Sequence, residues 1–244
     1  MCEVSCRGNN HRVNAEVNER RYLCVMVPLV AMVPHVAIRD SMIGALFLLA
    51  IACYATGSGM TESAVVNGDD RHAMASGALL MLLNSVCVSV IGVLMHPILH
   101  VESENVALGY VVVRCTEGVL LSVGIVCLLS QQALTEVEND AAADVIRAVL
   151  QTANFFAYQM AMCVLGLGSL PVCATFLRSR LLPAWLSLLG LVGYAIFLVG
   201  AIAEIFGSPV GVMLSAPAGL FEIALPLWLF TKGFARDVHR ESLT

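Results

Sequence analysis

Four charged side chains stand inside long apolar runs of this 244-residue chain: Arg114, Glu117, Glu204 and Glu222. Placing such a group at the middle of a bilayer costs about 2.5–3.5 kcal/mol on insertion scales, so it needs a partner or a wet cavity and marks a candidate site. Arg114 and Glu117 are spaced i, i+3, which puts them on one helix face and predicts an ion pair directed into a bundle interior. That pair reads either as a packing element that fixes helix register or as a group that binds substrate or gates a path. Glu222 has no basic residue within a helical turn. It follows Ser215-Ala216-Pro217-Ala218-Gly219, where Pro217 removes one helical hydrogen bond and clashes with the carbonyl of Met213. A broken helix beside a buried acid is how transporters build midplane sites. The structural alternative is a plain kink, with Glu222 bonded to Asn84 or paired across helices with Arg114.

Position along each apolar run gives the depth of these groups. Arg114 and Glu117 fall toward one face, Asn84 and Glu222 near the midplane, and Glu204 toward the other face. Asn154 and Tyr158, i and i+4, lie on that second side as well. If they converge, they form a polar ladder suited to proton or cation passage, although Glu204 also reads as an interfacial residue that reaches water. His96 and His100 are the one histidine pair at helical spacing, and two imidazoles at i, i+4 can share a metal. Pro97 between them, and Glu102 and Glu104 after them, favour a hydrated helix end instead. Gly57-Ser58-Gly59 suggests an intramembrane serine protease, but no later span supplies a histidine. The one lysine, Lys232, is at a helix end, and there is no H-E-x-x-H, no glycine-rich phosphate loop and no arginine ladder. No cofactor is therefore expected.

The elements that carry these residues follow from composition. The chain is 59% hydrophobic and 13% charged, against about 45–50% and 25% in soluble domains. These figures exclude a compact soluble domain, disorder, collagen, a coiled coil and a disulfide scaffold. A net charge of −5 excludes a nucleic-acid partner, which requires a basic surface. Cys53, Cys87, Cys115, Cys127, Cys163 and Cys173 lie singly in apolar runs and read as packing residues, while Cys2 and Cys6 lack the second half of a zinc site. Crossing about 30 Å of hydrocarbon takes roughly 20 apolar residues. Six segments qualify: 41–60, 74–95, 109–130, 153–176, 185–206 and 210–231. The expected fold is all-α, a polytopic transmembrane bundle of six spans at residues 41–235 followed by a short tail at 236–244.

Residues 1–40 form an N-terminal extension whose apolar stretch, 22–38, carries Pro28, Pro34 and His35. It reads as an interfacial or re-entrant segment, as a seventh span, or as the product of a start codon placed too early. A signal peptide fits poorly, because polar residues precede the apolar run and no small-x-small site follows it. Arg7, Arg12, Arg20, Arg21, Arg39, Arg178, Arg180, Lys232, Arg236 and Arg240 all fall on one side of a six-span bundle, which predicts cytoplasmic termini. Trp185 and Trp228 then belong to the aromatic belt on that side.

Three stretches carry a resemblance. They are Leu108-Gly109-Tyr110 with Arg114-x-x-Glu117; Arg178-Ser179-Arg180-Leu181-Leu182-Pro183-x-Trp185-Leu186 with Gly190 and Gly193; and Phe221-Glu222 leading to Trp228-Leu229-x-x-Lys232-Gly233-Phe234. Together they resemble a bacterial family of small integral-membrane proteins known only as a domain of unknown function, from about Met42 to Ala235. His96 departs from the pattern, which has an aromatic residue before the proline after span two. The resemblance implies a multi-helix protein of the bacterial cytoplasmic membrane and supplies no activity.

The leading functional expectation is transport of a proton, cation or small solute by a non-enzymatic membrane protein. Glu222 would be the titrating site, Arg114 and Glu117 a pairing or gating element, and Asn84, Glu204, Asn154 and Tyr158 further polar lining. The alternative is a sensor or accessory subunit that packs against a copy of itself or another membrane protein. A third reading is a lipid-modifying enzyme, for which no nucleophile–base or metal constellation is visible.

Overall fold

The structure is a computed structural model that describes residues 36–67, 71–134 and 141–235. The apolar stretch before residue 36, the Cys2–Cys6 pair and the tail after residue 235 lie outside the described residues. All regular structure among the described residues is helical: α1 (Val36–Asn67), α2 (Arg71–His100), α3 (Glu104–Ser130), a 3-10 turn (Gln131–Leu134), α4 (Ala141–Ser179), α5 (Ala184–Ile205) and α6 (Gly211–Thr231). Each of the six is long and apolar enough to cross a membrane. Their outward faces carry side chains such as Leu79, Val112 and Val212, all more than 60% exposed, as a surface solvated by lipid allows. The chain is a six-span membrane bundle.

Local sequence sets the helix ends. The Ser103 hydroxyl accepts from the Val106 N–H at 3.5 Å and Glu104 occupies the first turn of α3, both favourable at a helix N-terminus. Pro183 closes the loop before α5, and Gly207, at φ +85°, supplies the left-handed turn after it. α4 starts at Ala141, well before the expected span at residue 153. Its first turns hold Asp144 and Arg147, whose carboxylate and guanidinium pair at 2.6 Å. Asp144 and Arg147 interrupt the apolar run there, so hydropathy alone sets the helix start too late.

Consecutive helices from α2 to α6 pack against one another, as short antiparallel connections require. α1 closes the ring. At one edge Gly44 lies against α6, where a Cβ would stand 3.3 Å from the Pro226 Cα. At the other edge Gly57 and Gly77 bring α1 and α2 into backbone contact, a Cβ on Gly77 standing 2.7 Å from the Gly57 carbonyl oxygen. Because that obstacle is backbone, Gly77→Ala forces the helices apart and should lower stability by about 1–3 kcal/mol. Gly59→Ala, where a Cβ meets nothing within 4 Å, should cost nothing in the same thermal-unfolding measurement on purified protein.

The largest apolar core, including Leu99, Phe176, Leu186, Leu225 and Phe234, fills the end of the bundle that carries Arg178, Arg180 and Lys232. The chain after α6 folds back onto this basic end. The Phe234 N–H donates to Asp40 Oδ2 at 3.1 Å, and the Ala235 N–H donates to the Leu181 carbonyl at 2.9 Å. Toward the opposite end the bundle is hollow.

Candidate functional site

The hollow is a cavity of about 270 Å³, and every one of the six spans contributes to its wall. Its polar lining is Tyr54 from α1, Asn84 from α2, Arg114 and Glu117 from α3, Tyr158 from α4, and Ser215 and Glu222 from α6. Five residues singled out by sequence therefore share one space.

Arg114 and Glu117 pair within α3, Nη1 to Oε2 at 3.0 Å, and both are almost fully buried. A glycine opposite makes this possible: a Cβ at Gly92 would lie 2.8 Å from the Arg114 Cβ. The guanidinium also donates through Nε to the Val88 carbonyl at 3.3 Å and lies over the rings of Phe47 and Tyr110, 5.6 and 5.8 Å from their centroids. Arg114 is thus held on every side, by an anion, a carbonyl and two π faces.

Glu222 is held differently. Neither Asn84 nor Arg114 is its bonded partner; the Tyr194 hydroxyl from α5 donates to Glu222 Oε1 at 2.7 Å. Gly193 allows α5 and α6 to approach closely enough for this contact, since a Cβ there would stand 3.0 Å from the Pro217 carbonyl oxygen. Asn84 is 6% exposed, lines the cavity and has no hydrogen-bond partner among the described residues. A buried amide in that condition is one that water or a ligand must satisfy.

Tyr158 stacks on Tyr54 from α1, ring centroids 5.6 Å apart. The two rings line both the main cavity and a smaller one of about 180 Å³, and it is the smaller one that Asn154 lines. Glu204 lies outside both: its Oε1 accepts from the Gly211 N–H at 2.8 Å and caps the first turn of α6. The polar ladder expected from sequence consequently ends in two chambers and omits Glu204. His96 and His100 stack at 5.4 Å at a helix end, and no group of three or more metal-ligating side chains occurs among the described residues.

α1 supplies Ile51 and Ala55, and α6 supplies Ser215 and Gly219. All four of these line the cavity, Ala55 is exposed, and a Cβ on Gly219 would meet nothing within 4 Å. α6 runs unbroken from Gly211 to Thr231 through Pro217, so the broken helix expected beside Glu222 is a continuous one.

Tyr194, Tyr54, Phe47 and Phe197 escaped the sequence reading. A tyrosine at mid-span was the available signal, because a buried phenolic hydroxyl needs a partner.

Comparison with curated proteins and with solved structures finds no match to this chain. A family model described as Domain of unknown function (DUF4386) matches residues 42–233 and covers all six spans. The chain belongs to that family.

Proposed function

We propose that this protein carries a proton, a cation or a small solute across the bacterial cytoplasmic membrane, with both termini in the cytoplasm. In this reading Glu222 is the acceptor and the Arg114–Glu117 pair is the pairing or gating element. One observation supports it above the others: a single cavity lined by all six spans gathers the buried charges and an unpartnered amide. Two carboxylates face one guanidinium there. Since Glu117 is already matched by Arg114, the unmatched acceptor is Glu222, flanked by aromatic rings, an environment that favours a positive guest. A rigid scaffold has no need of a built polar cavity, which weighs against the accessory-subunit reading.

Gly219→Leu tests this. A Cβ at position 219 meets nothing within 4 Å and leucine suits a helix better than glycine, so the variant should fold at least as well as the parent while its side chain occupies space beside the cavity that Gly219 lines. In proteoliposomes under an imposed pH or cation gradient, the parent should carry flux above protein-free vesicles and Gly219→Leu should lose at least ten-fold of it. Parent flux equal to protein-free vesicles across protons, alkali cations and small organic cations would contradict the proposal.

A further inference from the structure

Seven lysines and arginines fall among the described residues. Arg114 and Arg147 have acidic partners, and Arg39 and Arg71 are also engaged. Arg178, Arg180 and Lys232 have no partner among the described residues. All three lie at one end of the bundle, and Arg180 and Lys232 frame a pocket of about 640 Å³. Its remaining wall is apolar and aromatic, with Leu177, Pro183 and Trp228 among its members. The pocket joins the last two stretches through which the chain resembles its family, Arg178 to Leu186 and Trp228 to Phe234.

The wall is a built structure. The Ala235 N–H bonds the Leu181 carbonyl at 2.9 Å, which ties the turn after α6 to the loop before α5. The Trp228 indole N–H donates to the Gly233 carbonyl at 3.1 Å, and the Trp185 ring meets Trp228 edge-on at 6.3 Å. These bonds consume backbone groups and the indole and leave both cations unused. Gly233 takes a left-handed φ of +68° at no cost. Arg180 takes φ +56° at the end of α4, a place where helices ordinarily set glycine or asparagine. Favourable charge at a helix C-terminus explains a cation in this turn, but it does not explain accepting a strained arginine where glycine would fold more easily.

We propose that this pocket binds the phosphate headgroup of an anionic phospholipid, with Arg180 and Lys232 on the phosphate oxygens and Trp228 against the glycerol region. Its location suits that ligand. The pocket lies at the membrane edge beside the exposed Trp185, where tryptophan marks the headgroup level, and basic pockets between spans take anionic headgroups. Below it the exposed Leu188 and Leu227 continue the apolar surface for the acyl chains. The site is independent of the central cavity and does not rest on the transport reading.

The test is titration of the full-length purified protein with short-chain phosphatidic acid, phosphatidylglycerol, phosphatidylcholine and inorganic phosphate, read as retained lipid by native mass spectrometry and as thermal stabilisation. The anionic lipids should bind at least ten-fold more tightly than phosphatidylcholine. Arg180→Gly should lose at least ten-fold of that affinity with no drop in thermal stability of the lipid-free protein, because it relieves the left-handed strain. Lys232→Gln should behave alike, whereas Arg178→Gln, which removes a charge from the same end but not from the pocket wall, should stay within two-fold of the parent. Equal binding of phosphatidylcholine, equal binding by Arg180→Gly, or losses as large in Arg178→Gln would overturn the site. Inorganic phosphate binding as tightly as the lipids would overturn the lipid assignment.

Discussion

Replacing Arg114 with methionine should cost about 3–5 kcal/mol of stability, the largest structural penalty of any single substitution considered for this bundle. Methionine fills much of the volume that arginine vacates, so loss of packing is not the main cost. The cost comes from Glu117, which is 3% exposed and would keep a buried carboxylate without the guanidinium now 3.0 Å from it. The same reasoning predicts the rescue. Arg114→Met combined with Glu117→Met removes both charges, and replacing a buried pair by apolar groups of similar volume is often neutral or stabilising. The double variant should recover most of the lost stability in a denaturation series while flux stays low, which separates the pair's structural contribution from its proposed gating one. A single Arg114→Met variant within about 1 kcal/mol of the parent would mean that water or a second partner already satisfies Glu117.

Much of this architecture was legible because the bilayer imposes simple rules. An apolar run of roughly 20 residues can satisfy its backbone in lipid only as a helix, so six such runs meant six spans. The Arg114–Glu117 pairing was legible for a similar reason: i, i+3 spacing is a property of one helix and needs no knowledge of its neighbours. What depends on helix rotation was hidden. Glu222 bonds Tyr194 rather than Asn84 or Arg114 because of how α5 and α6 face each other across Gly193, and no spacing within either helix encodes that. Asn154 and Tyr158 share a helix face, yet the Tyr54–Tyr158 stack puts Asn154 in the smaller chamber. Glu204 reads from sequence either as a rung of the polar ladder or as an interfacial group, and neither reading encodes that the five residues between α5 and α6 fold it back as a cap on the next helix. The first turns of α4, Ala141–Thr152, escaped because Asp144 and Arg147 interrupt the apolar run that marks the span.

The second large effect belongs to Glu222. Glutamine has nearly the same shape, and its side-chain carbonyl can accept the Tyr194 hydroxyl that now bonds Oε1 at 2.7 Å, so Glu222→Gln should leave the fold and its unfolding temperature close to those of the parent. What glutamine lacks is the carboxyl group's ability to bind and release a proton or to match a cation, and loss of that ability is what the proposed role predicts will matter. Glu204→Gln is the control, since Glu204 caps α6 outside both cavities. The decisive measurement is gradient-driven flux in proteoliposomes holding equal amounts of parent, Glu222→Gln and Glu204→Gln protein. The account predicts at least a ten-fold loss for Glu222→Gln and flux within two-fold of the parent for Glu204→Gln. Parent-level flux in a folded Glu222→Gln variant would contradict it and leave the acid as a packing residue.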